Sequence, residues 1–261
     1  MIQKVEIENY EVLRQKFYQT ISNFPLINAV LSQIQNGFVF SDDKNDVLIV
    51  VSKSGFSLVE IEDISDEKCE TVFTFLQNNM DIPNYIHLYS PSEFFIQFIE
   101  KSWDKFKIRD RIQYRYKNKD YGNIEKLLPE GYSWDTIDNI SFDKLKVFDL
   151  KLDSRYWNSI SDFQEKAIGA CILDGKSNLA AICYSACVVD GFAEMDTLVL
   201  EQYRGKGFMR IVSLPFFNIA AKNEYITHWD TFVENTASFV MGEKFMPDHN
   251  NEYKFLSILL R

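Results

Sequence analysis

AEMDTLVLEQYRGKGFMRIVSLPFF, residues 193–217, decides how this chain is read. Alternating apolar residues up to Leu200 predict a strand, Gln202-Tyr203-Arg204-Gly205-Lys206-Gly207 a turn, and a helix follows at once. Gly205 and Gly207 admit positive φ, so successive N–H groups can face one point, and the first N–H groups of the new helix aim the same way. Such a turn suits phosphate oxygens. Arg204, Lys206 and Arg210 bring positive charge to it. The spacing lacks the Gly-Lys-Ser/Thr of a Walker turn, and the third glycine of Gly-x-Gly-x-x-Gly would fall at Arg210. Pro215, inside the helix, removes a bond to the Ile211 carbonyl and is expected to kink the axis, far enough on to spare the N-terminus.

Around this segment the second half reads as a strand at 132–137, helices near 141–148 and 155–163, and a meander of strands at 167–173, 179–189 and 192–200. A helix at 207–222, a strand at 225–231, a helix at 236–245 and a strand at 253–260 complete it. Asp190-Gly191 between apolar runs is a hairpin signal. Upstream, Val12, Leu13, Phe17, Ile21 and Phe24 recur at helical spacing, and a second short helix follows Pro25. GFVFSDDKNDVLIVVSKSGFSLVEI, 37–61, reads as three strands, followed by a helix at 66–80, a strand at 85–89, a helix at 92–106 and a strand at 109–116. The seam lies in KNKDYGNIEKLLPEGYSW, 117–134. We place the boundary at Leu128, with an N-terminal α+β domain over 1–128 and an α/β domain with a mixed sheet over 129–261.

Composition narrows the function classes. With 46% hydrophobic and 25% charged residues, both halves can bury cores. A net charge of -10 argues against a dedicated nucleic-acid or anionic-membrane binder. RIQYRYKNK, 111–119, interleaves bases with Tyr114 and Tyr116 as a nucleic-acid groove does, yet it equally describes an exposed strand whose long side chains cover apolar surface, and the net charge favours the second. No run approaches the roughly 20 apolar residues of a membrane span, and the start, MIQKVEIENYEVLRQ, carries charge where a signal peptide is apolar, so a cytoplasmic location is expected. Cys69, Cys171, Cys183 and Cys187 read as buried structural thiols, and His87, His228 and His249 are scattered, so no metal site is expected. The aromatic excess, 15% of residues, falls mostly at core spacing, Phe73, Phe94 and Phe98 among it, with Tyr156 and Trp157 where an acceptor would enter.

Gln202-x-x-Gly205-x-Gly207 after a strand resembles the acyl-CoA-binding motif of the Gcn5-related N-acetyltransferases (GNAT), and the element order of the second half resembles their fold. His228-Trp229-Asp230, Asn235-Thr236-Ala237-Ser238 and Glu243-Lys244-Phe245 resemble segments of the branch that includes the zwittermicin A resistance acetyltransferase, as does Leu-Pro-Glu-Gly-Tyr at 128–132. The resemblance covers 128–261 well and 1–127 loosely. It implies a GNAT-like fold over 129–261, with the first half resembling a degenerate copy that lacks the glycine turn.

The resemblance also implies acetyl-CoA as co-substrate and a small-molecule amine as acceptor, in an N-acetyltransferase reaction. Backbone N–H groups of Tyr203, Arg204, Gly205, Lys206, Gly207 and Phe208, in the motif opened by Gln202, would hold the CoA pyrophosphate. Leu198, Val199 and Leu200 would pair with the pantetheine arm as an added strand. Asn235 would hydrogen-bond the arm, and Ser238 would face the thiol. Glu194 and Asp196 alternate onto one face of their strand and are the base candidates, Glu194 first because the family often carries an acid there. His228 would act through a water or be structural. Many members place a Tyr general acid seven residues after the Asn, a position held here by Gly242, and the Gly-Phe that commonly ends the helix is Met246-Pro247. Ser238 or solvent would then protonate the thiolate. The alternative is a non-catalytic acyl-CoA-binding or protein-interaction module.

Overall fold

Residues 1–117, 121–122, 124–245 and 250–261 are described in a computed structural model of the chain, and their contacts divide into two units. Unit 1 holds Met1–Ile112, Phe232–Glu234 and Glu252–Arg261. A short strand β1 (Gln3–Lys4) leads to helices α1 (Tyr10–Lys16), α2 (Tyr18–Ile21) and α3 (Pro25–Leu31). The single helix read from Val12 to Phe24 is cut at Phe17, whose ψ of 21° is no longer helical, and Val12 ends exposed. Pro25 opens α3 where its missing N–H costs nothing. The alternating run at 37–61 forms β2 (Gly37–Ser41), β3 (Val47–Ser52) and β4 (Phe56–Ile61), paired antiparallel. Next come α4 (Asp66–Asn78), β5 (Tyr85–Tyr89), α5 (Glu93–Ser102) and β6 (Phe106–Lys117), which contributes residues to both units.

Both long helices start where a serine side chain accepts a first-turn N–H: Ser65 from Lys68 at 3.3 Å and Ser92 from Phe95 at 3.2 Å. Their inner faces, Cys69, Val72, Phe73 and Leu76 from α4 and Phe95 and Ile99 from α5, bury against Val47, Ile49, Val51, Ile86 and Leu88. Each such side chain contributes roughly 1.5–3 kcal/mol. Phe94, expected at a core position, lies on the outer side of α5 and is exposed. β6 corrects the picture of a solvated basic strand. Its Ile112, Gln113 and Tyr114 are buried, and the Arg109 guanidinium lies 3.5 Å from the centroid of the Phe232 ring. Within RIQYRYKNK, residues 111–116 are therefore buried or half-buried and Lys117 is exposed; Asn118 and Lys119 lie outside the described residues.

Glu60, on β4, is the unit's misplaced charge. Burial pushes its carboxyl up to about 7 from an ordinary 4.5. A folded-state value above the unfolded one means the carboxyl contributes no penalty below pH 4.5 and destabilises increasingly as pH rises through 7. Glu60→Gln should therefore leave stability unchanged at pH 4 and raise it at pH 8 by up to about 3 kcal/mol, read from urea unfolding at the two pH values.

Unit 2 holds Gln113–Thr231 and Asn235–Asn251. Its elements are β7 (Tyr132–Thr136), α6 (Phe142–Leu145), α7 (Leu152–Arg155), α8 (Ile160–Lys166), β8 (Gly169–Asp174), β9 (Leu179–Val189) and β10 (Phe192–Val199). Then follow α9 (Phe208–Lys222), β11 (Ile226–Phe232), α10 (Thr236–Phe245) and β12 (Asn250–Leu259). Where two helices are read at 141–148 and 155–163 there are three short ones, the last opening at Ser159, whose hydroxyl accepts the Asp162 N–H at 3.0 Å. Strands β7 to β10 form an antiparallel meander, and β11 adds parallel to β10, so the sheet is mixed. Asp190 and Gly191 have φ of 49° and 77°, the two positive values that a tight hairpin demands. β9, almost wholly apolar, is buried on both faces, and α9 lies across β8, β9 and β10. Pro215 lies within α9, which runs unbroken from Phe208 to Lys222.

Most of β12 belongs with unit 1, because Phe255 to Leu259 pair antiparallel with Tyr89 to Tyr85 of β5. Among the described residues no helix is long and apolar enough to cross a membrane.

Candidate active site

The turn after β10 takes the form its glycines allow. Gly205 and Gly207 have φ of 79° and 76°, and a Cβ built on either meets nothing within 4 Å, so backbone conformation and not crowding selects glycine. The N–H groups of Tyr203 and Arg204 are drawn inward, donating to Leu200 O at 2.9 Å and Glu201 O at 3.2 Å in a 3-10 turn. The first helical bond is Ile211 N–H to Gly207 O at 3.2 Å. Among the described residues, none of the N–H groups of Gly205 through Arg210 donates to a backbone or side-chain acceptor. The row of open donors thus begins two residues later than Tyr203 and extends beyond Phe208 into the first turn of α9.

Side chains brace this turn. The Tyr203 hydroxyl donates to Asp174 Oδ2 at 2.8 Å, and Lys206 Nζ donates to the Tyr132 hydroxyl at 2.8 Å. The Asn178 amide and N–H, with the Tyr203 hydroxyl, hold the Asp174 carboxyl well below the usual carboxylate range. The Tyr132 ring meets Phe208 edge-on at 4.8 Å, so the loop is pinned to β7 and to the β8–β9 turn. Gln202, Tyr203 and Leu200 border a cleft of about 390 Å³ together with Lys144, Val147, Ser177, Asn178 and Leu179.

The ladder between β10 and β11 runs from Phe192 opposite Ile226 to Glu194 opposite His228 and stops, while β10 continues through Leu198 to Val199. On its other edge β10 stays paired with β9, Leu198 opposite Ile182 and Val199 opposite Ala181, and Leu200 N–H donates to Ala180 O at 3.0 Å. Among the described residues, one edge of β10 is therefore open beside the place where the two strands part. At that fork Glu194 Oε2 is hydrogen-bonded to His228 Nδ1, with the two residues only 7% and 1% exposed. A bulge opposite Glu194 leaves Ala186 extra between Cys187 and Ser185.

Asp196 is differently committed. Its Oδ2 accepts from the Tyr184 hydroxyl at 2.8 Å and its Oδ1 from the Thr197 N–H at 2.8 Å. Burial, with the Asp196 charge second, pushes the Tyr184 hydroxyl far above its ordinary value, so it stays a donor. The two acids of β10 thus have separate partners. Trp157 is a core residue, not a lining one: its indole N–H donates to Ser185 O at 3.1 Å and it is 2% exposed.

On α10, Asn235 is the capping residue. Its Oδ1 lies 3.5 Å from the Ser238 N–H and its carbonyl accepts the Phe239 N–H at 2.9 Å, while Ser238 is buried one turn on. Gly242 has a physical reason that its own sequence context does not reveal: a Cβ there would lie 2.3 to 2.8 Å from the Tyr114 ring. Tyr114 is fully buried and donates its hydroxyl to Glu243 Oε1 at 2.9 Å. Sequence reading missed Tyr114, since only the register of β6 against α10 brings them together. Met246-Pro247 and His249 lie outside the described residues. The four cysteines are free and buried, burial pushing Cys69 up to about 11 and Cys183 to about 12, so they are inert thiols. Among the described residues no three His, Cys, Asp or Glu side chains gather as a metal site would require.

A family model for GNAT acetyltransferases matches residues 15–256. The chain belongs to the GNAT acetyltransferase family. The uncharacterized N-acetyltransferase YdfB of Bacillus subtilis strain 168 is 23% identical over 221 residues, 84% of each chain. A GCN5-related N-acetyltransferase-like protein from Streptococcus suis superposes with a TM-score of 0.72 at 16% identity, over 95% of this chain and 99% of that one. A tandem GNAT protein from the clavulanic acid biosynthesis pathway matches with a TM-score of 0.56 at 10% identity, over 100% and 98% of the two chains. These structural likenesses establish the mixed α/β fold. GNAT members use acetyl-CoA as co-substrate, and the features that bear on its fit here are the open amides of 205–210, the positive φ of both glycines and the free edge of β10.

Proposed function

We propose that the chain is an acetyl-CoA-dependent N-acetyltransferase that acetylates the amine of a small molecule, with 129–261 as its catalytic half and 1–128 as a degenerate copy of the same fold. The observation that carries this reading is the open row of N–H groups at Gly205–Arg210, at the end of a strand whose ladder with its neighbour has just ended. Those amides would hold the pyrophosphate, and the α9 N-terminus adds its positive end. Leu198, Val199 and Leu200 would pair with the pantetheine arm, and Asn235 and Ser238 would stand at its thiol end. Gln202 and Tyr203 would border the nucleotide. The Glu194–His228 pair, at the fork of β10 and β11, is the basic centre that would receive the acceptor's proton, with Asp196 beside it. Ser238 or solvent would protonate the leaving thiolate. The segments at 228–230, 235–238 and 243–245 favour the branch that includes the zwittermicin A resistance acetyltransferase.

A second reading, a non-catalytic acyl-CoA-binding module, draws on Gly242. A screen of small amines for thiol release from acetyl-CoA separates the two. The enzyme reading expects at least one amine to release CoA in step with its acetylated product. Stabilisation by acetyl-CoA without any acetylated amine would favour the binding module, and no stabilisation at millimolar acetyl-CoA would remove both.

A further inference from the structure

The Glu194–His228 pair carries more than a shared basic centre, because its atoms are not equivalent. The carboxylate meets the ring at Nδ1. At the other end, Nε2 is buried and has no hydrogen-bond partner among the described residues. A neutral imidazole has one donor and one acceptor nitrogen, and an ionised carboxylate only accepts. With the ring neutral and the carboxylate ionised, the nitrogen facing Glu194 is the N–H, and Nε2 carries the lone pair. A buried polar atom left without a partner is destabilising. Its place next to the open edge of β10 marks Nε2 as an atom suited to meet a proton donor. Glu194 Oε2, by contrast, is already engaged with Nδ1.

We propose that His228 Nε2 is the atom that takes the proton from the acceptor, and that Glu194 is a positioning residue which fixes the ring's tautomer and stabilises the imidazolium. The proposal rests on the acetyltransferase reading above and divides the labour within that site. The acceptor's ammonium gives one proton to Nε2, through one water because the ring is only 1% exposed. The neutral amine then forms the new N–C bond as the C–S bond breaks, its second proton leaving with the thiol, and the imidazolium returns the first proton to solvent. Titratable groups near the pair along the strands, among the described residues, include Cys187, opposite Glu194 on β9, and Asp196 and Asp230, two residues on along β10 and β11. Burial and the Glu194 charge keep the Cys187 thiol protonated. Asp196 is held by Tyr184.

Nitrogen NMR of histidine-labelled, ligand-free protein reads the tautomer directly, with His87→Gln and His228→Gln assigning the signals. At neutral pH the expected result is a protonated Nδ1 and a bare Nε2 on His228, lost or mixed in Glu194→Gln. A proton on Nε2 with Nδ1 bare would make Glu194 the proton holder and overturn the proposal. With an amine in hand, His228→Gln should lower kcat/KM by about 100-fold or more while acetyl-CoA still stabilises the protein. Glu194→Gln should cost less and move the rising limb of the pH profile to lower pH, since the imidazolium loses its counter-charge. Abolished turnover in Glu194→Gln beside an unchanged rate and profile in His228→Gln would also overturn it. Failure to find any acetylated amine would instead count against the acetyltransferase reading, and the tautomer would still decide which atom holds the proton.

Discussion

Gly207→Glu abolishes acetyl-CoA binding: this is the expected result of greatest effect. Acetyl-CoA at 100 times its dissociation constant should stabilise the wild-type chain by about 2.7 kcal/mol, and the variant not at all. Two physical terms act together. Gly207 sits at φ 76°, where any residue with a Cβ costs roughly 1–2 kcal/mol. A carboxylate there would also lie among the open amides of 205–210, satisfying them itself and repelling phosphate oxygens. Because a Cβ at 207 meets no atom within 4 Å, the variant should fold, so lost binding will not be confused with lost structure. Gly207→Ala, which carries the backbone cost without the charge, should retain part of the stabilisation. Thermal shifts of Gly207→Glu that match wild type would dismiss the phosphate-binding role of the turn.

The second large effect concerns Gly242, the position to which the family resemblance assigns a tyrosine. Gly242→Tyr should destabilise the protein severely. Even the first carbon of a side chain would stand 2.3, 2.5 and 2.8 Å from atoms of the Tyr114 ring, closer than packed carbons approach. Tyr114 cannot swing aside at low cost, being fully buried and tied through its hydroxyl to Glu243. Overpacking by a methyl group costs about 1–3 kcal/mol, so Gly242→Ala should fall in that range and Gly242→Tyr beyond it. Tyr114→Ala combined with Gly242→Tyr should recover much of the loss, a coupling that urea unfolding of the four proteins measures. If Gly242→Tyr alone is as stable as wild type, Tyr114 is not what selects glycine there.

These two glycines show how differently positions can be read. Gly207 is legible because the requirement lies in its own backbone: a strand, a turn and a helix follow within a dozen residues, and the conformation that joins them favours glycine. The same holds for Asp190-Gly191 and for the element order of 167–260. Local spacing is a poorer guide where neighbours compete. Val12 and Phe94 keep helical spacing yet face solvent, and Tyr203 and Arg204, placed in the row of phosphate donors, spend their N–H groups on the 3-10 turn before it.

The mixed α/β class, the glycine turn and the candidate acids of β10 are legible in the chain alone, since each depends on residues a few positions apart. Folding is what brings Glu194 to His228, Tyr184 to Asp196, Tyr114 into the space beside Gly242, and the last strand back to β5. Each of those depends on the register between elements separated by helices and turns. A shift of one residue would turn every side chain of the strand to its other face, and that register is set by packing across the whole unit.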